Sequence, residues 1–462
     1  MLETEPDLSD FSKIDFSNGA VVAVSGGSDS TALLLLLKDH LDRTAPATKL
    51  LAVTIDHNLR PGAAAEAQAV ARLCAERGIA HRVLVWSGRK PSTGLPAAAR
   101  EARYRLLAEA ALAESIGLIL TGHTADDQAE TVLMRQAREG GPREAGRGLA
   151  GMAPATLYDW RIWIARPLLG TRRAALREFL RRANVGWAED PTNEDEAFER
   201  PRIRADLAAG NGAQRVADAV ALAARAAVER EQLGQRAAAL IREFASRPAD
   251  GLIRLDPGFA TAGDADAAVY ALRILLATVG GVAFLPDQAR SEALLDRLRA
   301  SSLCATPFCA TLSRTVVDAR RAGTFLRRET RNLPPAAPAS DNALWDGRRR
   351  ITLGDRPGAF LIAPLGAARA AKRAIAEDGT PPSLVRAALA AEPVLWRSPE
   401  RLGESLGLAQ DSPVLPRTAV WPVVAPFARF LPSFDLAPAM TVAALIGAPL
   451  VPAMPFTGHT AG

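Results

Sequence analysis

Between an apolar run at 19–24 (GAVVAV) and an apolar helical stretch at 31–41 (TALLLLLKDHL) stands Ser25-Gly26-Gly27-Ser28-Asp29-Ser30. This order predicts strand, glycine turn, helix. Gly26 and Gly27 let the backbone turn tightly and aim N–H groups at an anion. The helix N-terminus behind them adds partial positive charge. The hydroxyls of Ser25, Ser28 and Ser30 can donate to phosphate oxygens. Asp29 would repel a bare phosphate, so its expected task is to hold Mg²⁺ beside one. A plain Gly/Ser turn with an aspartate helix cap would use the same letters. The flanking strand and helix, and the motifs below, favour the phosphate reading. The run lacks the lysine of GxxxxGK[ST] and the spacing of GxGxxG.

The first ~205 residues alternate strand and helix. Strands are expected at 50–54, 82–85 and 118–121, and helices at 66–77, 95–115, 125–137 and 171–183. That alternation predicts an α/β fold with a doubly wound parallel sheet. Ligands of such sheets bind beyond the carboxyl ends of the strands. SGGSDS, Asp56-His57 and the run Gly122-His123-Thr124-Ala125-Asp126-Asp127-Gln128-Ala129-Glu130-Thr131 all follow strand ends. Capping explains Thr124, Asp126 and Asp127 at a helix start, but not His123 and Glu130 packed with them. His123, Asp127 and Glu130, spaced four and three apart, share a helix face. Such a face could hold a substrate ammonium or a second Mg²⁺. Arg100, Arg103 and Tyr104 share another helix face. After Asp190-Pro191-Thr192-Asn193 come Arg200, Arg202 and Arg204, whose alternation suits an RNA backbone or a salt-bridged surface.

The 462 residues are 48% hydrophobic and 23% charged, which excludes global disorder. Net charge is +5, with 51 arginines against 5 lysines. An Ala-rich, compositionally biased chain would also be Arg-rich, so this excess alone identifies no partner. Three cysteines exclude a disulfide scaffold, and the histidine spacing gives no structural zinc site. The acidic start lacks an apolar signal core, and no membrane-length apolar run occurs, so a cytoplasmic protein is expected. The expected domains are 1–205 (catalytic), 206–332 (mainly helical, RNA-binding), a Pro/Ala linker at 333–341, 342–450 (small α+β) and a loose tail at 451–462.

SGGSDS resembles the PP-loop of the ATP pyrophosphatases. Together with TIDHNLR, AAREARY, GHTADDQAET, GLAGM, RPLL, DPTN and RPRIR it resembles the tRNA(Ile)-lysidine synthetases, densely over 19–204 and faintly over 342–450. The basic Gly-Arg-Thr-Lys type motif of many members' C-terminal domains is not found. The resemblance implies ATP, Mg²⁺, L-lysine and a tRNA(Ile) with a CAU anticodon. The C2 oxygen of the wobble cytidine takes AMP from ATP, releasing pyrophosphate, and the lysine ε-amine then displaces AMP. It implies nucleotide binding by Ser25–Ser30, Asp56 and His57. Metal binding falls to Asp29, and substrate binding to Arg100, Arg103, Tyr104, Asp126, Glu130, Arg200, Arg202 and Arg204. The attacking amine must be neutral, and Asp127, then His123, is the expected proton acceptor. A tRNA 2-thiolase of the same superfamily is the alternative, and the oligomeric state, a homodimer included, stays open.

Overall fold

The computed structural model describes residues 8–58, 62–138, 147–189, 199–208, 210–304, 306–354, 360–375, 379–397 and 420–456. The chain forms two compact units. One comprises 1–230 with 432–434 and 452–462, the other 231–431 with 435–451.

The first unit carries strands β1 (Ala20–Ala23), β2 (Leu50–Asp56), β3 (Ala80–Val85), β4 (Leu118–Thr121), β5 (Ala155–Tyr158) and β6 (Ile162–Ala165). Its helices are α1 (Ser28–Thr44), α2 (Ala63–Glu76), α3 (Leu95–Ala113), α4 (Ala125–Arg138), α5 (Arg173–Arg182) and α6 (Glu199–Ala208). The strands lie in the order β5-β6-β4-β1-β2-β3. β1 pairs in parallel with β2 (Val21 with Leu51) and with β4 (Val22 with Leu120), and β4 in parallel with β6. The chain therefore winds outward from β1 through β2 to β3, then returns to β4 on the other side. The order reverses between β1 and β4, where open α/β sheets leave a crevice at the strands' carboxyl ends. The expected doubly wound sheet is present, with its four anticipated strands.

The hairpin β5–β6 has no counterpart in the sequence reading. Its strands are antiparallel, Thr156 facing Ile164, and its turn places Asp159 (φ 52°) and Trp160 (φ 61°) in the left-handed region. Asp-Gly or Asn-Gly usually marks such a turn. Asp-Trp hides it.

The middle of the chain holds the long helix Gly212–Phe244 and the helices Ala265–Gly280 and Gln288–Cys304. Asp264 caps the second of these on Ala267 N at 3.0 Å, and Gly281 ends it with φ 68°. These helices accompany a five-stranded antiparallel sheet ordered Ala245–Ala249, Leu252–Leu255, Gly323–Arg328, Thr315–Arg320, Phe308–Leu312. All five of these strands lie within the segment expected to be mainly helical. The C-terminal region is α+β. Two three-stranded sheets accompany helices Ala367–Arg373, Pro382–Ala390 and Leu436–Ile446. Within the segment expected as linker, Ala337–Pro338 pairs with Phe360–Pro364. In the expected tail, Phe456 bridges to Ile14, and Pro455 O accepts from Asp15 N at 2.7 Å. Residues 457–462 lie outside the described residues.

One close approach ties the crevice together. Gly122, just past β4, lies against the first turn of α1, and a Cβ there would stand 2.8 Å from Asp29 O and 2.9 Å from Ser30 N. Both obstacles are backbone, so the helix start itself would have to move. Gly122→Ala is expected to destabilise the chain by about 1–3 kcal/mol, the range for overpacking. Urea unfolding of the two proteins measures it.

Candidate active site

A cleft of about 1440 Å³ opens at the reversal point between β1 and β4. Its lining includes Ser25, Gly27, Ser28, Asp29 and Ser30 from the loop after β1, and Asp56 and His57 from the end of β2. Arg100 and Arg103 of α3 line it too, as do His123, Asp126, Asp127 and Glu130 around the start of α4, and Arg200 and Arg204 of α6. Residues from Ser25 to Arg204 thus share one wall system. Leu59, Arg60 and the DPTN run lie outside the described residues.

The phosphate loop is built as the glycines require. Gly26 has φ +88°, and its carbonyl accepts from Ala188 N at 2.9 Å. The Ser25 and Ser30 hydroxyls are 3.1 Å apart, and Ser30 Oγ donates to Gly27 O at 3.2 Å. α1 then starts at Ser28 without a side-chain cap, so its first N–H groups face the cleft mouth.

Four carboxylates gather beside this loop, and arginines that the motif reading missed hold them. Arg173 of α5 donates from Nε to Asp29 Oδ2 at 2.8 Å and pairs through its terminal nitrogens with Asp127 (3.1 Å) and Glu130 (3.6 Å). Arg172 pairs with Asp126 at 3.1 Å, and Arg173 N donates to Asp126 at 2.7 Å. Asp126 thereby caps α5 from outside and is occupied structurally. The signal was available: Arg173, Arg177 and Arg181 recur every four residues along one face of a predicted helix. All three line the cleft.

Glu130 is 1% exposed and accepts from Arg200 Nε (2.8 Å) and Arg204 Nε (2.9 Å). The alternation of the three arginines suited either an RNA backbone or a salt-bridged surface. On a helix, however, residues i and i+4 share a face while i+2 points away. Arg200 and Arg204 turn inward to fasten α6 onto α4, and Arg202 is exposed.

Asp127 accepts from Thr124 N (2.9 Å) and Thr124 Oγ1 (2.8 Å) through one oxygen, while Arg173 and Arg200 take the other. Burial works to raise its pKa, but Arg173, Arg200 and the Thr124 N–H hold it below the usual carboxylate value. Asp29 is the opposite case. Burial raises its pKa despite Arg173, so its charged form is short of compensation. A hard cation would supply it. Among the described residues no group of three or more His, Cys, Asp or Glu could hold a metal alone. Mg²⁺ needs no such cage, since it is commonly held by one or two carboxylates plus substrate phosphates and water. Asp29 beside a phosphate loop fits that habit.

His123 Nδ1 lies 2.9 Å from Thr121 Oγ1. Burial, with Arg166 behind it, pushes its pKa down to about 3. His123 is therefore a neutral imidazole, and as a proton acceptor for an ammonium it is far too weak a base. That corrects the expectation of His123 as a base. Tyr104 is fully buried, with Arg100 and Arg103 about its ring at 5.0 and 5.1 Å. Burial would raise its pKa, but Arg103, Arg166 and Arg100 bring it to about 8. It supports the arginines from beneath and does not line the cleft. His57 packs edge-on to Trp86, and Asp56 accepts from Asn58 N at 2.7 Å.

The chain matches a PP-loop domain family over residues 3–210. It is 70% identical to a tRNA(Ile)-lysidine synthase of Mesorhizobium japonicum, over 100% of both chains. It is 38% identical to one of Rhizobium meliloti, over 94% of this chain and 93% of that one. Among solved structures it is similar to a U34-tRNA thiolase of Methanococcus maripaludis. That match has 17% identity and a TM-score of 0.37, and covers 46% of this chain and 72% of that one.

Two outcomes follow from this geometry. Arg173→Ala removes the cation shared by three carboxylates and should cost about 3 kcal/mol, as breaking buried pairs does. Arg173→Lys should recover part of it, with urea midpoints as the readout. His123 is neutral when folded but protonates near pH 6.5 when unfolded, so between about pH 3 and 6.5 the unfolded chain binds the extra proton. Its contribution is complete above pH 6.5 and is lost as pH falls toward 3. His123→Asn should flatten the stability-versus-pH curve in that window, measured by urea titrations at several pH values.

Proposed function

The chain belongs to the tRNA(Ile)-lysidine synthase family, and from that premise we propose how its cleft joins L-lysine to the wobble cytidine of a tRNA(Ile) with a CAU anticodon. The observation that carries this reading is the single guanidinium of Arg173. It spans 2.8 Å to Asp29 of the phosphate loop and 3.1 Å to Asp127 of the carboxylate helix. The two half-reactions need those two groups side by side.

ATP lies with its phosphates on the Ser25–Ser30 loop and the N-terminus of α1, which supply N–H and hydroxyl donors. Asp29 would hold Mg²⁺ at this loop, and the ion would supply charge neutralisation for the leaving pyrophosphate. The cytosine C2 oxygen bonds to the α-phosphorus as the bond to pyrophosphate breaks. The ring must leave the anticodon stack to reach the cleft. Adenylation gives a poorly electrophilic carbon a leaving group. The lysine ε-nitrogen then bonds to C2, the C2–O bond to AMP breaks, and the amine gives up its protons. Asp127, ionised at neutral pH, is the group we assign to hold that amine and relay its proton. Glu130 lies behind it under Arg200 and Arg204, and Asp126 is committed to α5. Arg100 and Arg103 face the same cleft and suit the phosphate backbone of the anticodon loop.

The 2-thiolase reading lacks its sulfur. Cys74 is buried with its thiol pushed up to about 11, Cys304 and Cys309 lie in the other unit, and none lines the cleft. Among the described residues no helix is long and apolar enough to cross a membrane. We place the reaction in the cytoplasm, with its tRNA.

Asp127→Asn keeps the side-chain shape and loses its charge. The variant should still release pyrophosphate with tRNA present and accumulate adenylated tRNA in place of lysidine, as read by mass analysis of the tRNA. Normal lysidine yield would remove Asp127 from the amine. Failure to adenylate at all would put it on the nucleotide side.

A further inference from the structure

The phosphate loop Ser25–Ser30 contains no lysine, the residue that P-loop enzymes set against the β- and γ-phosphates. N–H groups and hydroxyls do not balance a triphosphate, which stays net negative with one divalent cation bound. A side-chain cation has to reach the loop from elsewhere in the fold. Two arginines of α5, which packs along α1, do so. Arg173 is already shared among Asp29, Asp127 and Glu130, and it could leave only by giving up buried ion pairs. Arg177 stands one turn further along the same face of α5, with its Nε 3.5 Å from Ser28 Oγ.

The other partner of Arg177 is Glu189, whose two carboxylate oxygens lie 3.0 and 3.1 Å from Arg177 Nη2. The Glu189 side chain is 66% exposed, and an ion pair so open to water is weak and exchanges readily. The segment that carries Glu189 is joined to the phosphate loop, because Ala188 N donates to Gly26 O at 2.9 Å. Trp187 Nε1 donates to Glu189 Oε1 at 2.8 Å, and the Trp187 ring lies 5.8 Å from the Arg177 guanidinium carbon. Ser28, Arg177 and Glu189 all line the cleft. A guanidinium is thus parked at the edge of the phosphate loop on a weak tether.

We propose that Arg177 binds the β- and γ-phosphates of ATP, exchanging Glu189 for them, and stays on the pyrophosphate as it leaves. This rests on the reading that the Ser25–Ser30 loop receives ATP for adenylation. As the cytosine C2 oxygen bonds to the α-phosphorus, the bond from that phosphorus to the bridging oxygen breaks. Its electron pair goes to pyrophosphate. A guanidinium fork matches the phosphate oxygens that gain this charge, and it remains protonated throughout. Phosphates of higher charge compete well against an exposed, solvent-screened carboxylate.

The test is calorimetric titration of the full chain with ATP and Mg²⁺. Arg177→Gln should weaken ATP binding about 10–100-fold, the usual loss for hydrogen bonds to charged groups. AMP, which has no β- and γ-phosphates, should bind this variant as it binds the wild type. Arg177→Lys should recover part of the loss. Glu189→Gln should bind ATP at least as tightly as the wild type, because it removes the competing carboxylate. If the pair were merely structural, breaking it from either side would weaken ATP binding alike. Unchanged ATP affinity in Arg177→Gln, equal losses for ATP and AMP, weakened ATP binding in Glu189→Gln, or a loss confined to tRNA binding would each overturn the inference. Wild-type protein that releases no pyrophosphate from ATP with tRNA and lysine would instead refute the reading of the cleft on which the inference rests.

Discussion

Everything at the catalytic end hangs on the Arg173 guanidinium. It sits at the first residue of α5, whose N-terminus Asp126 of α4 caps, and it reaches Asp29 on α1 and Asp127 and Glu130 on α4. Three helices that start at the same edge of the sheet are thus held by one planar, permanently charged fork. Lysine would carry the charge without the geometry. Because Gly122 packs directly on the first turn of α1, the strand that delivers α4 also sets the position of the phosphate loop. The phosphate loop and the carboxylate-bearing start of α4 are therefore mechanically one object.

Each carboxylate of that object has an arginine partner, though burial still raises the pKa of Asp29. Asp29, Asp126, Asp127 and Glu130 are met by Arg172, Arg173, Arg200 and Arg204. This pairing also separates the carboxylates by role. Glu130 fastens α6, Asp126 caps α5, and Asp127 stands between them with one oxygen fixed by Thr124 and one toward the arginines.

Much of this was legible in the residues. The strand–glycine–helix order placed the phosphate loop, and the alternation of apolar runs placed β1 to β4 and the helices between them. The spacing of His123, Asp127 and Glu130 put them on one face. The hairpin at 155–165 escaped notice because Asp159-Trp160 carries no usual turn signal, although both residues take left-handed φ. Arg200, Arg202 and Arg204 read as a set along the chain, but a helix divides them, two inward and one outward. His123 looked like a base by its residue type. Its surroundings, closed off from water and backed by Arg166, make it a neutral hydrogen-bonding group.

By itself, then, the sequence determined what depends on neighbours within a few residues: the anion-binding turn, the helix caps, the register of polar groups at strand ends, and the chemical class those groups serve. Only the tertiary structure decided which charge answers which. Asp29 and Arg173 are 144 residues apart, and Arg200 and Glu130 are 70 apart. Pairing across such distances is fixed by strand order and helix packing, because Coulomb attraction and desolvation act through space and leave no spacing to read along the chain.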